Sequence, residues 1–482
     1  MILAIDQGTT GTTCLVFDGE GRIAGRAYSE FEQHFPRPGW VEHDAGEIWA
    51  VTRRVAVEAI VDAGIQGAEL DAIGIANQRE TVVAWDPASG EPLHRALVWQ
   101  DRRTAARCVE LRGGGHEALV RKRTGLVLDP YFSATKIEWL LRNAELPESA
   151  VFGTIDSWLL FRLTGRHATD YTNASRTMLF DIRRLAWDEE LCELLGVDPA
   201  RLPEPLPSAH LYGTTSEFGG EVPVAGIAGD QQAALFGQAC HGPGSAKNTY
   251  GTGSFVLLNT GAEVPDPGDG LLATAACAVN EEAAYALEAS IFVTGAAVQW
   301  LRDGLGILGG AGESEALAAS LEGNDGVYFV PALTGLGSPH WDPYARGAIV
   351  GLTRGSGRAH LARAALEAIA YQTVDAVRAE EEVFGKRLEE LKADGGAVAN
   401  RWLMQFQADV LGAPVVVPEI AETTALGAAY LAGIATGRWS AEDVAAMWRE
   451  AARYEPRMSA QERDSLLADW HRALDRSRGW AE

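Results

Sequence analysis

Residues 2–5 (Ile-Leu-Ala-Ile) and 14–17 (Cys-Leu-Val-Phe) are short apolar runs, and nearly everything between them is small, polar or glycine. Two β-favouring runs separated in this way predict a pair of strands joined by a turn over residues 6–12. Asp18-Gly19 predicts a second reversal, with residues 22–31 as a third strand. The period then changes. Ile48, Val51, Val55 and Ile60 follow a helical stripe, and Asp44 with Glu47 three residues on has the form of a capping box. Residues 70–76 predict a buried strand, which Asn77-Gln78-Arg79-Glu80 interrupts before it resumes over 81–85. Charge inside an apolar strand pair is either a solvated turn or the wall of a polar pocket. Residues 133–143 predict a second capped helix.

Halfway along, the pattern begins again. A strand at 222–228 ends in Gly229-Asp230-Gln231-Gln232 and leads into a helical run at 233–239, which Gly242-Pro243-Gly244 breaks. That break divides the chain into expected domains at 1–241 and 242–482. The second opens as the first does. Strands at 247–249 and 254–258 flank the turn Tyr250-Gly251-Thr252-Gly253, and two more strands are expected near 271–279 and 284–290. Later a strand at 388–393, the stretch Asp394-Gly395-Gly396 and a helix at 402–411 mirror the strand–turn–helix unit at 228–238.

Composition narrows what such a chain can do. At 482 residues it exceeds one ordinary core, and 47% hydrophobic content supports more than one. Lys and Arg number 41 against 66 Asp and Glu, a net charge of −25. So acidic a protein is unsuited to gripping nucleic acid or an anionic membrane. There is no cationic leader and no apolar span of membrane length, so a cytoplasmic protein is expected. Cys14, Cys108, Cys192, Cys240 and Cys277 stand singly, without metal-ligand spacing, and read as reduced core thiols.

The turns carry the candidate chemistry. Gly8 and Gly11 allow backbone N–H groups to approach an anion, and Thr9, Thr10 and Thr12 add hydroxyl donors. The same residues also suit an ordinary hairpin turn. Asp6 would repel a phosphate, but a carboxylate beside a phosphate cradle can hold Mg²⁺ through water.

Two halves that each open on a Gly/Thr hairpin resemble the actin, sugar-kinase and heat-shock ATPase superfamily. The segments AIDQGTT, IANQRET, ALVWQDRRT, DYTNASRTMLF, AGDQQAALFGQ, KNTYGTGSF, DGGAVANRWLMQFQ and TALGAAYLAG, in that order and spacing, are similar to the FGGY carbohydrate kinases and among them to the glycerol kinases. The resemblance implies an α/β fold of two related ribonuclease-H-like, actin-like ATPase domains with a cleft between them. It implies ATP and Mg²⁺ as cofactors, glycerol as substrate and a homo-oligomer, dimer or tetramer. Carried over, the glycerol pocket falls on Arg79, Glu80, Trp99, Tyr131, Asp230, Gln231 and Phe255, with Asp230 as catalytic base and Asp6 toward the metal. Thr9, Thr10, Gly11 and Thr252 would meet the phosphates, and Gly295, Gln299, Gly396 and Asn400 the rest of the nucleotide. Arg79 and Glu80 are expected to neutralise each other, so that both can be buried. The sequence departs from the family at Gly11-Thr12-Thr13, where glycerol kinases usually carry Ser-Ser-Arg; this leaves the phosphate contacts there without a cation. A kinase for another polyol or a pentulose is the neighbouring alternative.

Overall fold

The computed structural model describes residues 1–279 and 282–481. Its first sheet has six strands. Ile2–Gln7, Gly11–Phe17 and Ile23–Glu30 run antiparallel in succession. On the other side of Ile2–Gln7 lie Ala72–Asn77 and then Val222–Gly229, both parallel to it, with Ala209–Thr215 at the edge. Ile2 to Ile5 and Cys14 to Phe17 are wholly buried, which explains why continuous apolar runs rather than alternation mark these strands.

The second sheet, of seven strands, is built likewise around a hairpin with parallel strands on one side. Ala246–Tyr250 and Ser254–Gly261 form the hairpin, Glu282–Ile291 takes the third place and Leu272–Val279 lies outside it. Leu391–Asp394 and Val415–Pro418 are the parallel strands on the other side. The 27-residue helix Arg358–Phe384, which the apolar pattern did not bring out, shares one core with this sheet through Ala365, Ile369 and Val377 against Val256 and Leu287.

Three expectations need correction. Residues 70–85 are not one interrupted strand: Ala72–Asn77 belongs to the first sheet, while Val82–Trp85 pairs with Val151–Thr154 in a separate four-stranded sheet. The reversal between them holds Glu80 at φ +61°, a strained value for a residue with a Cβ. Asp44 does cap the helix Ala45–Asp62, accepting from the N–H groups of Gly46 (2.8 Å) and Glu47 (3.0 Å). The Glu47 carboxylate, however, accepts from Glu32 N–H instead of closing a capping box. Ser133, at the start of the helix Ala134–Asn143, does not cap it either; its hydroxyl donates to the Glu80 carbonyl at 3.0 Å. Both side chains serve a distant segment, which local spacing does not register.

One helix disregards the sequence boundary. Thr423–Ala435 follows the second sheet in the chain, yet Ala425, Ala428 and Leu431 share a core with Ile2, Ala4 and Leu15 of the first. Gly74 and Gly226 permit it: a Cβ on Gly74 would lie 2.2 Å from the Ala428 carbonyl oxygen, and one on Gly226 2.5 Å from Ala432 N. All five cysteines are buried free thiols. Among the described residues, no helix is long and apolar enough to cross a membrane.

Candidate active site

The parallel strands Ile2–Gln7, Ala72–Asn77 and Val222–Gly229 end on the same side of the first sheet and deliver Asp6, Arg79 and Asp230 together. Asp230 is the first residue of the helix Asp230–Gly237, where the helix dipole favours an anion. One of its carboxylate oxygens accepts from the Gln231 backbone N–H at 2.8 Å, and the other from the Gln231 side-chain amide at 3.2 Å. Arg79 Nε approaches Asp230 at 3.3 Å. The Asp230 side chain keeps 29% of its surface exposed, so one edge stays open to an incoming group.

Arg79 itself is buried, and the expected mutual neutralisation with Glu80 is not how its charge is met. Arg79 Nε is 3.8 Å from Glu80, whereas its guanidinium forms a bidentate pair with Glu288, at 2.5 and 3.2 Å. Glu80 is held instead by Arg176 Nε at 2.7 Å, and Arg176 also reaches Glu288 at 2.9 Å. Two arginines and two glutamates therefore alternate in one buried ring, and the charges cancel over four residues rather than two. Burial raises Glu80; burial would raise Glu288 too, but Arg176 and Arg79 outweigh it and hold Glu288 at about 2. The motif reading missed both Glu288 and Arg176. A signal was there: Glu288 interrupts the apolar interior of the strand Glu282–Ile291, and a charge inside a central strand needs a partner.

The aromatic side chains complete this end. Trp99 and Tyr131 meet edge to face at 5.6 Å, Arg176 lies over the Tyr131 ring at 5.7 Å, and Arg79 over Phe255 at 5.5 Å. Trp99 also donates its indole N–H to the Thr9 hydroxyl at 2.8 Å, tying the aromatic wall to the first hairpin turn. All the residues assigned to the polyol pocket thus lie in one connected group, in which arginines stack over aromatic faces and carboxylates pair with the arginines. Such a lining suits a small polyhydroxylated molecule.

The two hairpin turns have similar local form. Gly8 N–H bonds to Gly11 O at 2.9 Å and Gly251 N–H to Gly253 O at 2.8 Å. Thr9 and Thr10 sit in the first turn, while Gly11 is already the first residue of a strand, shorter than the turn expected from the sequence. Thr13 faces Asp6 across the hairpin, so the position at which the sequence departs from the expected Ser-Ser-Arg lies beside this carboxylate. In the second turn Thr252 O accepts from Thr294 N–H and Ala296 N–H, and Gly295 N–H donates to Gly251 O at 3.1 Å. Gly395, at φ +86°, brings its backbone against Tyr250, where a Cβ would stand 2.3 Å from the carbonyl oxygen. Gly396 next to it faces open space. Thr252 and Gly295 therefore lie together, and Gly395 brings Gly396 in just beyond Tyr250, the residue that opens the same turn. Gln299 is exposed at the end of the helix Gly295–Gln299. The Asn400 side chain is occupied as the N-cap of the helix Arg401–Leu411, accepting from Leu403 N–H at 2.9 Å.

Asp6 bears on the metal. Burial, with Asp230 nearby, pushes its carboxyl up to about 7, as befits an acid that lacks a countercharge. A divalent cation would supply one. Among the described residues no three or more Asp, Glu, His or Cys side chains gather into a metal site, so the other ligands would be phosphate oxygens and water. The residues present fit that kind of ion.

Residues 1–237 match the N-terminal domain of the FGGY family of carbohydrate kinases, and residues 246–436 match its C-terminal domain. The chain belongs to this family. Similar members include a glycerol kinase of Trichlorobacter lovleyi, 56% identical over 100% of this chain and 99% of its own. Glycerol kinase 2 of Thermotoga maritima is 54% identical over 99% of each chain. Among solved structures, Plasmodium falciparum glycerol kinase with ADP superposes with a TM-score of 0.93 at 36% identity, covering 99% of this chain and 98% of that one. A xylulose kinase of Lactobacillus acidophilus, 21% identical with a TM-score of 0.88 and covering 98% of this chain and 97% of its own, shares the fold of the family.

Proposed function

We propose that this chain is a glycerol kinase, which converts ATP and glycerol to ADP and glycerol 3-phosphate. The observation that carries the reading is the Arg79–Asp230 pair, set in a buried ring of charge beside the Trp99–Tyr131 wall and opposite the two Gly/Thr turns. Arg79 and Glu80 hold two hydroxyls of glycerol by donating and accepting, and Trp99 and Phe255 line its carbon edge. The third hydroxyl meets the exposed edge of Asp230. As its oxygen bonds to the γ-phosphorus, the proton passes to the Asp230 carboxylate, and the bond to the β-phosphate oxygen breaks to release ADP. Thr9, Thr10, Gly11 and Thr252 donate to phosphate oxygens, while Gly295, Gln299, Gly396 and Asn400 border the nucleoside. Asp6 would help to hold Mg²⁺, which when bound would neutralise charge on the phosphates.

Asp230→Asn keeps the shape but cannot take the proton. Its kcat should fall by about 100-fold or more while glycerol affinity largely persists. A coupled assay of ADP release together with a glycerol titration of the variant decides it; kcat within a few-fold of the parent would remove Asp230 from this role.

A further inference from the structure

Lys247 lies on Ala246–Tyr250, the first strand of the second hairpin, and is fully buried. Its ammonium donates to Gln231 Oε1 at 2.5 Å, to the Thr249 hydroxyl at 2.8 Å and to the Phe255 carbonyl at 3.3 Å. Three N–H groups meet three acceptors. The contact with Gln231 crosses from the second half of the chain to the first and arrives beside Asp230. A glutamine amide has two ends of nearly equal shape, and its neighbours choose which way it faces. An ammonium can only donate, so it must see Oε1; this turns the NH₂ toward Asp230, which can only accept. The bond from that NH₂ to Asp230 is present at 3.2 Å.

We propose that Lys247 is a positioning residue for phosphoryl transfer: reaching across from the second half, it locks the Gln231 amide and thereby fixes the Asp230 carboxylate that receives the proton. The inference rests on the reading of Asp230 as the base. Without the ammonium the amide is free to turn, its oxygen repels the carboxylate, and the oxygen that should face the substrate hydroxyl loses its orientation.

The surroundings make this dependence titratable. Lys247 faces Asp230 and Arg79 from the first half, Glu288 from a neighbouring region of its own sheet, Asp394 from the adjacent parallel strand and Glu380 from the long helix Arg358–Phe384. Burial lowers Lys247 to about 8, with Asp394 and Asp230 pulling the other way. Glu380 offers no countercharge: burial and Glu288 hold it well above the carboxylate range. Above pH 8 the neutral amine has two N–H groups for three acceptors.

The test follows kcat at saturating ATP and glycerol from pH 6.5 to 10 in the parent protein, Lys247→Met, Gln231→Leu and the double variant, with Asp230→Asn alongside. The parent should lose kcat above about pH 8, and Lys247→Met should run at about a tenth of it or less without that alkaline limb, its glycerol KM little changed. Because Lys247 acts through Gln231, the double variant should match Gln231→Leu within about two-fold instead of multiplying the two losses. Gln231→Leu should also lack the alkaline limb, which keeps the question open to decision if Lys247→Met fails to fold by circular dichroism. A parent kcat flat to pH 10, an undiminished Lys247→Met, or losses that multiply would overturn the proposal. An active Asp230→Asn would overturn the base assignment itself, and an inactive one with multiplying losses only the role of Lys247.

Discussion

Glu288 shows how much a single side chain can hold at this site. Its two oxygens take Arg79 and Arg176 at once, and it belongs to the second sheet while both arginines belong to the first half of the chain. Glu288→Gln leaves two buried guanidiniums with only Glu80 between them and, for Arg79, the partly exposed Asp230. Breaking a buried network on one side costs about 3–5 kcal/mol, so the thermal midpoint should drop by many degrees and glycerol KM should rise. An unchanged midpoint would mean that solvent already compensates the ring. Asp156 makes a second case, remote from the chemistry. It is fully buried, accepts from the hydroxyls of Thr154 (2.5 Å) and Thr169 (2.6 Å), and is raised to about 7 by burial and by neighbouring Asp170. Its folded value exceeds its unfolded value, so the folded protein binds the extra proton. The resulting stability is full below about pH 4 and is lost as pH rises through 7, at about 1.4 kcal/mol per unit. Asp156→Asn removes the titration. The variant should therefore gain on the parent in thermal midpoint between pH 5.5 and 8.5; a constant difference across that range would refute the assignment.

At the scale of elements, glycines divide into two kinds that sequence alone does not distinguish. Gly74 lets the helix Thr423–Ala435 lie on the first sheet, because a Cβ would meet the backbone carbonyl of Ala428, which cannot give way. Gly396 has no protein atom within 4 Å of its missing Cβ. Gly74→Ala should thus destabilise the fold by about 1–3 kcal/mol, whereas Gly396→Ala should melt like the parent and bind ATP more weakly. Calorimetric melting with nucleotide titration separates the two, and equal melting of both variants would sink the distinction. The hairpins at 2–17 and 246–261 were legible because their cues are local: buried apolar runs on either side of the turn in the first, and the Tyr250-Gly251-Thr252-Gly253 turn itself in the second, whose leading strand is Ala-Lys-Asn-Thr-Tyr. The split of 70–85 between two sheets was not, since strand propensity is the same on both sides of the turn and only tertiary pairing assigns each half. The site divides similarly. Arg79, Asp230 and the phosphate turns lie in motifs, but Glu288 is 209 residues from Arg79, and nothing near it in the chain announces the pairing.

The whole molecule joins two related sheets at one end more firmly than at the other. Arg79 to Glu288 and Gln231 to Lys247 are buried bonds between the first and second halves at the polyol end, and Gln238 to Asp394 is a third at the start of the Gly395-Gly396 turn. At the nucleotide end Thr10, Thr252 and Gln299 are exposed. Motion of one half against the other is then easiest as a rocking about the bonded end, which opens and narrows the mouth where ATP enters. Closure has a chemical purpose. A γ-phosphoryl group left beside water would be spent on hydrolysis, so transfer to glycerol gains when both substrates shut the mouth together. On the proposed reading neither substrate alone spans it, since the glycerol residues lie at the bonded end and the nucleotide residues along the exposed turns. Small-angle scattering should accordingly give a smaller radius of gyration with glycerol and a non-hydrolysable ATP analogue together than with either alone. Glu288→Gln, which loosens the bonded end, should weaken that response even when both ligands are saturating. A radius that stays the same in the parent protein under all four conditions would show that the mouth does not move, and protection from hydrolysis would then have to come from the turns alone.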